Sequence, residues 1–118
     1  MITTSVDPRA AEEASAWLAL ADAGDGPGSW EAAGAAFRSA VTPAAWGDQL
    51  RAVRAPLGPL TSRALAVAQQ LNGLPGAPPG EYVVQQYHSV YGGAKAVVET
   101  LTLRRDDDAW RVVGYFIR

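Results

Sequence analysis

The sequence predicts an α+β domain with a helical half followed by an antiparallel sheet, not alternating βαβ units. Apolar residues recur at helical spacing as far as Pro56, and from Leu60 onward their spacing falls towards two. The 118 residues, 48% of them hydrophobic, suffice for one domain, 1–118, with a small core. Within it, 7–56 is the helical half and 60–118 the sheet.

The first helix has Asp7 as cap and Pro8 in its first position, and Ala11, Ala14, Trp17, Leu18 and Ala21 as its apolar stripe. It should stop at Gly24. Gly24-Asp25-Gly26-Pro27-Gly28 reads as loop, after which Ser29 caps a second, shorter helix burying Trp30, Ala33 and Phe37. A third begins with Thr42 and Pro43, carries Trp46, Leu50 and Val53 on one side, and ends at Pro56. Four strands follow at 61–71, 81–91, 94–105 and 109–117. The first is the weakest, because Ala64, Ala66 and Ala68 are poor strand formers. The others form a meander with turns at Gly92-Gly93 and at Asp106 to Asp108.

Two-residue turns would set His88 against Val97, Gln86 against Glu99, and Glu99 against Phe116. The covered face would then hold Tyr82, Val84, Gln86, His88, Val97, Glu99, Leu101, Leu103, Trp110, Val112, Gly114 and Phe116. Gln86, His88 and Glu99 are its polar exceptions. A carboxylate and an imidazole on a core face must be hydrogen-bonded, exposed at a rim or facing a cavity. The structural reading satisfies them through each other, Arg63 or water; the functional reading places them in a pocket where burial and charge tune their acidity. On the opposite face, Tyr87, Val113, Tyr115 and Ile117 form a patch that a second copy of the chain would cover.

Composition removes several function classes. Ten Lys plus Arg against twelve Asp plus Glu give a net charge of −2, without the basic surplus that nucleic-acid binding draws on. With no Cys and one His, disulfides, thiolate nucleophiles and multi-His metal centres are excluded. No apolar run is long enough for a membrane helix. The segment as given reads as soluble and cytoplasmic, or periplasmic if an export signal precedes it. The Gly24, Gly26 and Gly28 run lacks the strand and Lys of a phosphate loop, and Asp106-Asp107-Asp108 reads as a solvated turn. Ser89 follows His88 on a strand, so the two point to opposite faces, and there is no nucleophile elbow. The four Trp residues sit on core stripes.

In Ala16-Trp17-Leu18-Ala19-Leu20, Asp22-Ala23-Gly24-Asp25, Ser29-Trp30, Phe37, Val41-Thr42-Pro43, Trp46, Arg54-Ala55-Pro56-Leu57-Gly58 and Arg63, the chain resembles the bacterial domain of unknown function 4019 family. The resemblance continues through Gly80-Glu81-Tyr82-Val83, Val98-Glu99-Thr100-Leu101-Thr102-Leu103 and 110–117. It implies no assigned activity. The order of elements is also similar to the nuclear transport factor 2-like cone, which implies a cavity between the concave sheet face and the helices and dimers through the other face; fold alone does not decide function.

The leading expectation is a dimeric, non-catalytic domain binding a small, partly apolar ligand or a partner protein in the concave face. Its pocket would be lined by Trp17, Tyr82, Gln86, His88, Glu99, Leu101 and Phe116. The alternative is a cofactor-independent isomerase, dehydratase or hydrolase with Glu99 as base and His88 as acid and base. A third reading is a purely structural domain. No cofactor or metal is called for.

Overall fold

The computed structural model describes the backbone of residues 2–3 and all of residues 5–118. In chain order its elements are β1 (Ile2–Thr3), α1 (Pro8–Asp22), α2 (Gly26–Ala32), α3 (Ala35–Ala40), α4 (Pro43–Arg54), β2 (Leu60–Leu71), β3 (Tyr82–Tyr91), β4 (Lys95–Asp106) and β5 (Ala109–Ile117). β2 to β5 form the expected antiparallel meander in an open sheet, and β1 adds a short parallel strand beside β2 that the sequence reading did not contain.

The helix starts follow local chemistry. Asp7 and Thr42 accept from the backbone N–H of Arg9 and Ala45, and Pro8 and Pro43 stand in the first turns. The expected loop at Gly26 to Gly28 is instead the opening of α2. Asp25 caps it by accepting from Gly28 N–H at 2.8 Å, so the cap-then-proline signal sits at Asp25 and Pro27, not at Ser29.

The expected second helix is two helices, making four among the described residues where three were expected. At Ala33 and Gly34 the backbone turns extended, with ψ of 166° and 165°, and Gly34 N–H donates to Val112 C=O at 2.7 Å. A Cβ at Gly34 would stand 3.1 Å from side-chain atoms of Arg111, Asp106 and Val113, so a larger residue here must push these neighbours aside. The gain of a bond to the sheet edge replaces helix continuation.

Two register differences reset the faces. Tyr91 pairs with Lys95, not Ala94, so the hairpin loop spans three residues, with Gly92 and Gly93 at φ of +58° and +79°. That one-residue slip inverts the whole of β3: Val83, Gln85, Tyr87, Ser89 and Tyr91 face the helices, while Tyr82, Val84, Gln86 and His88 face away. At the next hairpin Leu103 pairs with Val112 as expected, but an irregularity beside Thr102 shifts the rest. Glu99 therefore pairs with Ile117, and Tyr115 turns inward while Gly114 and Phe116 turn out. The expected dimer patch on the outer face loses Tyr87, which is buried in the core, Tyr115, which packs against it, and Ile117, which shares the inner face with Tyr115 opposite Glu99.

The helices cover the inner face around Trp17, Phe37 and Trp46; the two indoles meet the Tyr115 ring, Trp17 at 5.3 Å and Trp46 at 6.5 Å, and Phe37 lies 5.0 Å from Trp46. Each indole N–H has an acceptor. Trp17 donates to Ser29 C=O, Trp46 to Ser29 Oγ, Trp30 to Val41 C=O, and Trp110 to the Asp7 carboxylate.

Candidate functional site: a buried ion network beside an open cleft

The helix ends and the strand register bring four charges together. Asp22 is the last residue of α1 and Arg54 the last of α4. Arg54 is favoured at a helix C-terminus, whereas a carboxylate there is opposed by the helix dipole, so Asp22 relies on cations. Arg63 supplies one from β2, opposite Ser89 on β3. Ser89 and Tyr91 are two residues apart and so share the inner face, where Glu99 of β4 and the inward-turned Tyr115 of β5 join them.

Glu99 is wholly buried and its carboxylate is saturated. Arg63 grips it through Nε at 2.8 Å and Nη2 at 3.2 Å, Ser89 Oγ donates at 2.5 Å, Tyr91 O–H at 2.9 Å, and the Tyr115 hydroxyl donates to Oε2. The far side of Arg63 is bidentate to Asp22, at 2.8 and 2.9 Å. Arg54 donates to Asp22 at 3.0 Å and to the Tyr115 oxygen at 2.8 Å, with Nη2 3.6 Å from Glu99. Two guanidiniums thus balance two carboxylates, and Tyr115 relays between Arg54 and Glu99.

The electrostatics follow. Burial alone would push the Glu99 carboxyl up, but the hydrogen bonds of Arg63, Ser89 and Tyr115 and the Arg63 charge bring it down to about 2. Burial pushes the Tyr87 phenol up to about 12, despite the nearby Arg63 charge. Tyr115 is also raised, by burial and by the hydrogen bond and charge of Glu99, against Arg54. A carboxylate held ionised by this many donors is a poor proton acceptor near neutral pH.

The network lies under a cleft of about 300 Å³ between the C-terminal ends of α1 and α4 and the start of β2. Ala21, Leu50, Ala55, Pro59 and Leu60 give it apolar walls, and Asp22, Arg54 and Tyr91 present its polar end. The Asp22 and Arg54 side chains retain 26% and 14% exposure, so the network is reachable from this side.

The residues expected to line a shared pocket do not meet. Trp17, Glu99 and Leu101 are buried on the inner face. Tyr82 is on the outer face, where its hydroxyl donates to Pro78 C=O, Gln86 donates to Thr100 there, and His88 and Phe116 are exposed. Glu99 and His88 point to opposite sides of the sheet, so the expected acid and base pair is not formed. Of the partners considered for Glu99, Arg63 is the one in contact. No motif in the sequence marks Asp22, Arg54, Ser89, Tyr91 or Tyr115 as site residues; Asp22, Arg54 and Tyr115 do lie in the stretches that carry the family resemblance, which is the one signal that reaches them. Among the described residues, no three His, Asp or Glu side chains gather as a metal site, and no helix is long and apolar enough to cross a membrane.

Residues 13–115 match the model of a family described as "Protein of unknown function (DUF4019)". No curated protein and no solved structure matches the chain.

Proposed function

We propose, for a chain that belongs to the DUF4019 family of proteins of unknown function, that it is a non-catalytic binding domain whose ligand is a small, partly apolar molecule. The ligand occupies the cleft above the ion network and not the space between helices and sheet, which the core side chains fill. One observation carries this reading: an apolar-walled cleft of about 300 Å³ ends on a partly exposed Asp22 and Arg54 pair. The apolar walls suit a hydrocarbon or aromatic body. The Asp22 and Arg54 pair offers both an acceptor and N–H donors to a polar head, and the network behind fixes their geometry without a mobile loop. The saturation of Glu99 supports binding over acid–base chemistry, since its lone pairs are already engaged. The order of helices then meander also keeps the nuclear transport factor 2-like cone as our reading of the fold's kinship.

The test is an amide NMR titration with a panel of small amphiphiles: medium-chain carboxylates, alkylamines and aromatic amides. Binders should shift the amides of Ala21, Gly24, Gly47 and Gly58, and Ala55→Phe, which fills the cleft, should abolish those shifts. A panel that leaves these amides unmoved, or binders that ignore Ala55→Phe, would overturn the proposal.

A further inference from the structure

We infer that the free end of β5, with the groove between it and α4, accepts an extended peptide segment of a partner protein as an added strand. β5 is the last strand of the sheet. Arg118 exchanges both backbone hydrogen bonds with Val98, at 3.0 and 2.8 Å. Antiparallel ladders alternate bonded and non-bonded pairs, so the Ile117 N–H and C=O turn away from β4, towards the open edge. An unpaired edge is a template for another extended chain.

Further along, the edge already accepts one backbone hydrogen bond: Gly34 N–H, from the extended Ala33-Gly34 linker, donates to Val112 C=O at 2.7 Å, which leaves the stretch beyond it for an incoming strand. Beside the free end is a groove of about 350 Å³ whose lining includes Trp46, Leu50, Val53, Phe116 and Ile117 and no charged side chain. Val53 and Phe116, the two large hydrophobic side chains found exposed among the described residues, at 44% and 52%, both belong to that lining. Apolar side chains projecting from an added strand on alternate positions would fill it. Charge narrows the occupant further: the exposed Arg118 guanidinium lies 6.0 Å from the Phe116 ring, so it complements an acidic residue flanking the apolar run.

The probe is a labelled, acetylated Asp-Ile-Thr-Val-Thr-Val peptide, compared with its Asp-Ile-Thr-Pro-Thr-Val twin, which lacks a ladder N–H. With the unaltered chain, the first peptide should slow hydrogen exchange at Ile117 and bind at least about tenfold more tightly than the second. Val53→Glu, a surface change that spares the core, and Arg118→Glu should each weaken binding without altering the circular dichroism spectrum. Equal binding of the two peptides, or an unprotected Ile117 amide at saturation, would overturn the inference. So would a dimer by sedimentation without peptide that Val53→Glu dissociates, because the occupant would then be a second copy.

Discussion

Replacing Glu99 by Gln keeps the side chain's shape while removing the charge that Arg63 and Arg54 surround. Two routes give the cost. The carboxyl falls from an ordinary 4.5 to about 2, which at about 1.36 kcal/mol per pH unit corresponds to roughly 3 kcal/mol of stabilisation at neutral pH. Removing one partner of a buried ion pair costs about 3–5 kcal/mol, because a charge is left uncompensated. The assay is urea unfolding followed by circular dichroism. With a slope of about 2 kcal/mol/M, the midpoint should fall by roughly 1.5 M in Glu99→Gln. The pH dependence has a definite sign. A carboxyl lowered by folding stabilises fully above its unfolded value of 4.5 and loses that contribution as pH falls towards about 2. The gap between wild type and Glu99→Gln should therefore narrow by about half between pH 7 and pH 3. A gap below about 1 kcal/mol at neutral pH, or one unchanged on acidification, would refute the network's energetic role.

Ser29→Ala leaves the buried Trp46 indole N–H without its 2.9 Å acceptor and should cost about 1–3 kcal/mol in the same unfolding assay. Gly34→Val forces a branched side chain against neighbours 3.1 Å away and should cost about 1–3 kcal/mol or more, with increased hydrogen exchange at the Gly34 position and at α3. An unfolding alkaline titration adds a third check: the buried Tyr87 phenol is raised to about 12, so its contribution is present below the unfolded value of 10 and is lost as pH rises through about 12. In Tyr87→Phe, the corresponding part of the decline in stability above pH 10 should be missing.

The sequence was most legible where a signal was local and single. Asp7-Pro8 and Thr42-Pro43 mark true helix starts, and the span of β5 and the tip pairing of Leu103 with Val112 follow from the Asp107-Asp108 turn. It was least legible in β3, where both faces carry apolar and aromatic residues. Tyr82 and Val84 alternate with Val83 and Tyr87, so hydrophobic patterning could not choose the inner set, and the choice fell to the length of the Gly92-Gly93 turn. Two glycines suit a two-residue loop and a three-residue one alike. Here the longer loop also lets Gly92 N–H donate to Pro59 C=O at 2.7 Å, a contact between segments far apart in sequence. The irregularity beside Thr102 had no turn residue to announce it. Together the two shifts send His88 outward and bring Ser89, Tyr91 and Tyr115 around Glu99. Asp22 and Arg54 carry no motif for a different reason: a charged residue at a helix end ordinarily meets solvent, and only the convergence of the C-terminal ends of α1 and α4 beside the start of β2 brings them to Arg63 and its network.

The most direct measurement is a pH titration of the Glu99 carboxyl carbon by NMR in glutamate-labelled protein, its signal identified by its absence from Glu99→Gln. Clamped between Arg63, Ser89 and the two phenols, the group should titrate near pH 2, well below a free glutamate. A midpoint at or above the ordinary 4.5 would mean that the donors do not hold the charged form, and the inward register of β3 and β5 that builds the ion network would fall with them.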